Sequence, residues 1–448
     1  MDSNFSHHPG LPTSFCASMQ SLLGTEATDF LQAILQEPVV SIRCNDKKSI
    51  NTHELSPVPW CPDAYYLSER PVFTLDPFFH AGAYYVQEAS SMFLYQALSQ
   101  TVSTDACVLD LCAAPGGKST LALHYLKNGF LVANEVIRSR AYILAENLQK
   151  WGTPNVAVTN NYPADWGKFT AQFDAILVDA PCSGEGMFRK DGGAITEWSE
   201  ENVRMCAQRQ REIITDVWNA LKQGGVMIYS TCTYNTAENE ENVRWIQEEL
   251  GAEYIPINIS PEWNITTWGA GYRFLPHKTK GEGLFMAVLR KTDGAVSPKK
   301  LKRKSVQKNS LPFPDEVRRW VTSEATPLAL PDNIWCMTDG THLSLMQQIV
   351  EHLRPMYIGV QVAQQKGKSL IPQPSLALSK VLNKHYFQSI ELSKEEILNY
   401  LRGEALSLQD VRPGHILMTY EGLPLGWMKH IGNRANNLYP NEWRIRHL

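Results

Sequence analysis

The middle of this chain predicts a doubly wound α/β domain, on three observations. From about residue 100, short apolar and β-branched runs alternate with longer stretches of helical periodicity, the pattern of a mostly parallel sheet covered on both faces. One run, Val108-Leu109-Asp110-Leu111, opens directly into the Gly-rich turn Cys112-Ala113-Ala114-Pro115-Gly116-Gly117-Lys118. Two later runs each deliver a cysteine among small residues, in Val178-Asp179-Ala180-Pro181-Cys182-Ser183-Gly184 and Tyr229-Ser230-Thr231-Cys232-Thr233-Tyr234. Ligands of open α/β sheets bind where strand ends meet such turns. A nucleotide-like cofactor and two thiols are therefore expected to share one crevice.

The helical spacing of Phe15, Met19, Leu22, Leu23, Phe30, Ile34 and Leu35 predicts a helix over residues 12–36, and Val39-Val40-Ser41-Ile42-Arg43 reads as a strand. Turn-rich sequence with Pro57, Pro59 and Pro62 leads to Tyr84-Tyr85-Val86-Gln87, completing a small α/β module over residues 1–95. In the main domain, residues 96–290, strands are expected at 107–111, 130–134, 155–159, 173–178, 226–231 and 254–258, with helices near 118–127, 138–151, 200–222 and 236–250. Gly224-Gly225 stands where a helix C-cap belongs. The run Leu284-Phe285-Met286-Ala287-Val288-Leu289 follows a Gly-rich turn and would complete the sheet.

Residues 291–312 read as a basic linker. Seven cations (Lys291, Lys299, Lys300, Lys302, Arg303, Lys304, Lys308) face Asp293 alone, a charge excess that suits a solvated segment beside a phosphate backbone. Residues 313–385 form an intermediate module, with a helix from Pro314 to Val321 and a strand at Ile334-Trp335-Cys336-Met337. Residues 386–448 hold a helix at 393–402 and strand–turn pieces at 415–420 and 423–429, a small β-rich module.

Composition narrows the function class. The 448 residues are 43% hydrophobic and 20% charged, ordinary for a globular protein. No apolar run reaches the roughly 18–20 residues of a membrane helix, and no signal-peptide pattern opens the chain. Nine cysteines without a Cys-x-x-Cys pair or zinc spacing point to a reducing cytoplasm and no metal. Net charge is −4, so any nucleic-acid contact must come from local basic patches.

The Gly-rich turn is not Gly-x-Gly-x-x-Gly and lacks the spacing of a phosphate loop. It remains a strand-to-helix turn whose backbone can approach a ligand closely. Glu135 closes the next strand, where an acid grips ribose hydroxyls in dinucleotide folds. Most strand-edge cysteines are core residues. Two such thiols on successive strands beside a cofactor turn instead suggest nucleophilic chemistry.

These stretches resemble the Sun-type family of RNA cytosine-5 methyltransferases. The likeness rests on Asp110 to Lys118, Asp174 to Gly186, Ser230-Thr231-Cys232-Thr233 and Tyr85-Val86-Gln87-Glu88-Ala89-Ser90-Ser91, and it covers about residues 30–290. In the tail, Gly422-Leu423-Pro424-Leu425-Gly426-Trp427 and Arg434-Ala435-Asn436-Asn437 resemble the PUA-like extension of the branch acting on small-subunit ribosomal RNA. The resemblance implies a Rossmann-like core that binds S-adenosyl-L-methionine through Cys112, Ala113, Ala114, Pro115, Gly116, Gly117 and Lys118, with Glu135 on the ribose. Asp179 would sit near the methionine and the target base. It also implies that Cys232 attacks C6 of cytosine and that Cys182 serves product release. The third strand departs from the family pattern: Tyr162 stands where an acid is expected, so Asn161, Tyr162 or a shifted Asp165 would face the adenine. The implied partner is 16S ribosomal RNA, free or in an assembling subunit, bound by a monomer with no membrane or metal. Tyr439, Trp443, Arg444 and Arg446 are candidate RNA contacts. The alternatives are a ribosome-assembly factor that has lost turnover and a tRNA cytosine-5 methyltransferase. A DNA enzyme would not need the second thiol and would carry a target-recognition insertion that strands four to seven lack.

Overall fold

The structure, a computed structural model, describes residues 10–48, 50–292, 312–322, 325–338, 340–408 and 410–446. Most of the expected basic linker, residues 293–311, lies outside the described residues.

The first expected helix is two, α1 (Thr13–Leu23) and α2 (Ala27–Ile34), because Gly24 at φ +57° ends the first. Their apolar stripe of Phe15, Met19, Leu23, Phe30 and Ile34 packs on Phe188, Trp198, Tyr234 and Leu275 of the main domain. Strands β1 (Val40–Cys44), β2 (Ser56–Pro57), β3 (Ala64–Leu67) and β4 (Tyr84–Val86) form an antiparallel sheet in the order β2-β3-β1-β4. Helix α3 (Leu94–Thr101) then leads into the main domain.

There the alternation builds β5 (Cys107–Asp110), α4 (Gly117–Tyr125), β6 (Phe130–Asn134), α5 (Arg138–Trp151), β7 (Val156–Thr159), β8 (Phe173–Asp179), α6 (Glu200–Val217), β9 (Leu221–Thr231) and α7 (Glu240–Leu250). Strands β9-β8-β5-β6-β7 are parallel, with the order reversing at β5. Successive residues serve opposite cores, as a doubly covered sheet requires. Val108, Leu131 and Ala175 join one apolar cluster, while Leu109, Val132 and Ile176 join the other. Short β10 (Ala252–Tyr254), β11 (Thr266–Thr267), β12 (Tyr272–Phe274) and long β13 (Leu284–Lys291) extend the β9 side with antiparallel pairs. The strand expected at 254–258 is thus an earlier and shorter edge piece.

Gly224-Gly225 does not cap a helix. α6 stops at Val217, a single turn (Trp218–Ala220) follows, and both glycines lie inside β9. There the β8–β9 register shifts between Phe173 and Ala175, Gly224 takes φ +75°, and a Cβ on Gly225 would fall 2.8 Å from Leu221 Cδ1 and 3.0 Å from the Asp174 carbonyl oxygen. The pair makes a bulge, which also needs glycine. Lys291, counted among the linker cations, is instead the buried last residue of β13 and donates to the carbonyls of Trp218 and Leu221 at 2.8 and 3.1 Å.

The 313–385 segment contributes β14 (Thr326–Leu330), β15 (Ile334–Thr338), α8 (Leu343–His352), β16 (Pro355–Ile358), β17 (Val360–Lys366) and β18 (Ser369–Pro372). Strand β16 pairs antiparallel with β7 and so enters the main sheet. Leu345, Met346, Ile349 and Ile358 share a core with Val132 and Ile176. At the C-terminus β19 (Gln388–Glu391), α9 (Lys394–Arg402), β20 (Gly414–Tyr420), β21 (Leu423–His430) and β22 (Ala435–Asn437) make a four-stranded sheet with one helix. Ser393 and Glu396 form a capping box at the start of α9.

Of the tail aromatics, Tyr439 is core and Trp443 is half-buried against it. Tyr439 is 3% exposed and packs on Tyr400 and Trp443, and its hydroxyl reaches His80 Nδ1 at 3.3 Å. Trp443 receives Lys150 of α5 at 5.5 Å from its ring. These contacts dock the C-terminal module on the rest of the chain; of the four tail candidates only Arg446 is exposed. Among the described residues no helix is long and apolar enough to cross a membrane.

Candidate active site

At the carboxyl end of β5 the chain turns through residues 111–117 into α4, and Gly116 at φ +117° makes the turn. Neighbouring elements fix its backbone. Ala113 N–H donates to the Asn134 carbonyl at 2.8 Å, Asn147 Nδ2 to the Pro115 carbonyl at 2.8 Å, and Arg140 to the Ala114 carbonyl at 2.8 Å. A crevice of about 700 Å³ lies over this turn, within the usual range for ligand sites. Its walls include Cys112, Ala113, Ala114, Pro115, Gly117, Lys118, Asp179 and Cys232. Tyr85, Gln87, Glu88 and Ser91 close it from the N-terminal module, and Gly186, Met187 and Lys190 from the loop after β8.

The Tyr85–Ser91 stretch is tied to the first turn of α4 by a buried arginine. Arg43 donates to Gln87 Oε1 at 2.9 Å and to Thr120 Oγ1 at 2.6 Å, with its guanidinium 4.6 Å from the Trp151 ring. Glu88 accepts from the backbone N–H groups of Ser90, Ser91 and Glu282, each at 2.8 Å.

Asp179, the last residue of β8, pairs with Lys118 at 2.8 Å and accepts from Ser230 Oγ at 2.9 Å. Burial works against the Lys118 charge, but Asp179 beside it outweighs burial and holds the ammonium pKa above its ordinary value. Cys232, just past β9, also opens onto the crevice. Cys182 is not among the crevice-wall residues; it lies beside Cys232, with the sulfurs 2.8 Å apart and the Cys232 N–H donating to Cys182 Sγ at 3.3 Å. The hydrogen bond to Cys232, then burial, pushes the Cys182 thiol well above the usual range. The two sulfurs thus form one close contact, with Cys232 on the crevice wall.

Two buried carboxylates that sequence reasoning missed hold the thiol loops. Glu238 accepts from Ser183 N–H at 3.1 Å, Gln210 Nε2 at 2.7 Å and Asn235 Nδ2 at 2.8 Å. Burial raises its pKa against these hydrogen bonds. Glu185 accepts from the N–H groups of Tyr234 and Asn235 at 2.7 and 2.9 Å and from Trp198 Nε1 at 3.0 Å. Glu185 had a signal in its Ser-Gly-Glu-Gly motif, whereas Glu238 had none beyond standing six residues after Cys232.

The remaining candidates stand apart from the crevice wall. Glu135 follows β6, buried, accepting from Ile137 N–H at 2.9 Å with Arg140 at 3.7 Å. Asn161 is buried and its amide is committed: Nδ2 donates to Asp165 at 3.0 Å, and Oδ1 accepts from Arg354 N–H at 2.9 Å. Tyr162 is 64% exposed. Gly116 turns toward α5, where a Cβ would meet Leu144 Cδ1 at 3.3 Å. Among the described residues no three His, Cys, Asp or Glu side chains are placed to hold a metal ion.

Comparison with known proteins places the chain in a family. Residues 97–290 match the family described as 16S rRNA methyltransferase RsmB/F. Residues 11–89 match the N-terminal domain of 16S rRNA methyltransferase RsmF, and residues 387–445 the methyltransferase RsmF PUA domain. Ribosomal RNA small subunit methyltransferase F of Citrobacter koseri is 32% identical over 97% of both chains. That of Photobacterium profundum is 33% identical over 87% of this chain and 85% of its own. A methyltransferase homolog protein from Pyrococcus horikoshii superposes with a TM-score of 0.55 at 25% identity, covering 63% of this chain and 96% of that one. The chain belongs to the ribosomal RNA small subunit methyltransferase F family, the branch its motifs resemble.

Proposed function

We propose that this member of the family transfers a methyl group from S-adenosyl-L-methionine to C5 of a cytosine in 16S ribosomal RNA, with Cys232 as nucleophile. The placement of the thiols carries the reading: Cys232 lines the crevice over the Gly-rich turn, and the Cys182 sulfur lies 2.8 Å from its sulfur. The residues present suit the cofactor. The turn is open at Gly117, where a Cβ would stand 3.4 Å from the Tyr85 ring, and Asp179 presents a carboxylate on the crevice wall. Residues 112–118 would hold it, with Glu135 at the ribose and Asn161 and Tyr162 toward the adenine; bound there, it supplies an electrophilic methyl group.

The chain's own residues do the rest. The Cys232 thiolate adds to C6, making C5 nucleophilic, and Asp179 stabilises the charge that develops at N3. After methyl transfer the C5 proton must leave and the C6–S bond must break. Cys182 passes its proton to the departing Cys232 sulfur and takes the C5 proton in its place, so protons and electron pairs balance. The target base is taken out of its stack, which costs a few kcal/mol and less in single-stranded RNA. The test is methyl incorporation from labelled S-adenosyl-L-methionine into deproteinised 16S rRNA and into small subunits, followed by mapping of 5-methylcytosine. Incorporation confined to cytosine C5 is expected; methylation of tRNA alone, or no turnover on any RNA, would overturn the reading.

A further inference from the structure

We propose that a second cavity, walled by Arg70, Val72, Phe73, Tyr85 and Asn147, is a subsite for the nucleotide next to the target cytosine in single-stranded RNA. The inference rests on the proposed reading of the crevice as the cytosine site and deepens it. The cavity measures about 590 Å³ and lies between the β3–β4 connection and α5. Arg70, Tyr85 and Val86 wall both it and the crevice, so the two spaces adjoin through shared side chains. A strand that places one base in the crevice brings the next within reach of this cavity.

The chemistry of the walls suits a nucleotide. They are mostly apolar and aromatic, carry one guanidinium and contain no carboxylate. Arg70 lies 5.6 Å from the Phe73 ring centre, pairing a cation for phosphate with a ring face for a base. The surroundings continue the theme. Val72, Tyr142 and Ile143 are 63%, 54% and 49% exposed, Ile143 stands one turn before Asn147 on α5, and Arg138 lies 5.8 Å over the Tyr142 ring. Such exposed apolar surface beside cations marks an interaction site. An enzyme that extrudes one base strips its neighbour of a stacking partner. A platform beside the crevice replaces that partner.

The test uses full-length protein with Val72→Glu and, separately, Thr74→Glu. Thr74 is an exposed lining residue, and neither side chain walls the crevice. Each adds a negative charge where a phosphate would lie. Two readouts are taken: KM for deproteinised 16S rRNA in the methylation assay, and photo-crosslinking to 16S rRNA transcribed with 4-thiouridine, mapped by mass spectrometry. We expect KM for RNA to rise about fivefold or more, S-adenosyl-L-methionine affinity to stay within twofold, and wild-type crosslinks in residues 70–85 to disappear. Unchanged KM and no crosslinks in 70–85, with wild-type turnover intact, would overturn the subsite alone. An unchanged KM with crosslinks persisting in residues 70–85 of both variants would reduce the contact to incidental passage of the RNA and also overturn the proposal. Absence of RNA methylation by the wild type would overturn the crevice reading and the subsite with it.

Discussion

Asp110 carries the most quantitative consequence of this architecture. It ends β5 directly before the Gly-rich turn and is fully buried. Ser119 Oγ donates to one carboxylate oxygen at 2.6 Å, while the other has no partner. Burial pushes its pKa from 3.8 to about 7, outweighing the Ser119 hydrogen bond, and Asp179 and Glu135 add repulsion. The unfolded chain ionises near the ordinary value while the folded chain keeps the proton. The stabilising contribution is therefore fully present below about pH 4 and lost as pH rises to about 7. That span corresponds to at most about 4 kcal/mol. Asp110→Asn replaces the acid by a neutral near-isostere and removes the titration. The stability of the variant relative to wild type should climb by up to about 1.4 kcal/mol per pH unit between pH 5 and 7 and level off above. Urea and thermal unfolding at half-unit intervals from pH 5 to 8.5 would measure it. Parallel wild-type and variant profiles would refute a buried, proton-bearing Asp110.

Three further outcomes are expected. Gly117→Val keeps the fold, because its Cβ meets Tyr85 and Gln87 only at 3.4–3.6 Å, but fills the cofactor side of the crevice; calorimetry should show S-adenosyl-L-methionine binding at least about tenfold weaker. Glu238→Ala strands Ser183 N–H, Gln210 and Asn235 without an acceptor, so Tm should fall by the equivalent of about 2–4 kcal/mol, with kcat reduced and cofactor affinity unchanged. Tyr439→Ala should cost about 3–4 kcal/mol in unfolding experiments by emptying a packed aromatic site, while RNA affinity of the folded protein at low temperature stays unchanged.

What the sequence disclosed follows from where each constraint lies. Residues 112–118, Asp179 and Cys232 are legible as candidates because strand ends and small-residue turns are local signals. The structure brings these, except Gly116, to one crevice. Glu238 was not legible: its task is to satisfy donors on α6 and on both thiol loops, a requirement that exists only after folding. Asn161 occupies the expected strand end, yet Arg354 from a segment some two hundred residues later takes its amide oxygen. The same segment supplies β16 to the main sheet, and no local periodicity names a distant partner for an edge strand. Tyr439 and Trp443 illustrate that aromatic residues beside arginines look alike in sequence whether they face solvent or dock a module. Gly224-Gly225 fits both a helix end and a bulge, since each asks for a left-handed residue.

The division of labour between the two thiols is the central claim, and one denaturing gel tests it most directly. Wild type, Cys182→Ala and Cys232→Ala are each incubated with S-adenosyl-L-methionine and deproteinised 16S rRNA, then resolved under denaturing conditions. Cys232 lines the crevice and Cys182 lies beside it, off the crevice wall, so Cys182→Ala should add to C6 but fail in release and accumulate a protein–RNA adduct. Cys232→Ala should form none and transfer no methyl group. An adduct that persists in Cys232→Ala and is absent from Cys182→Ala would contradict the assignment.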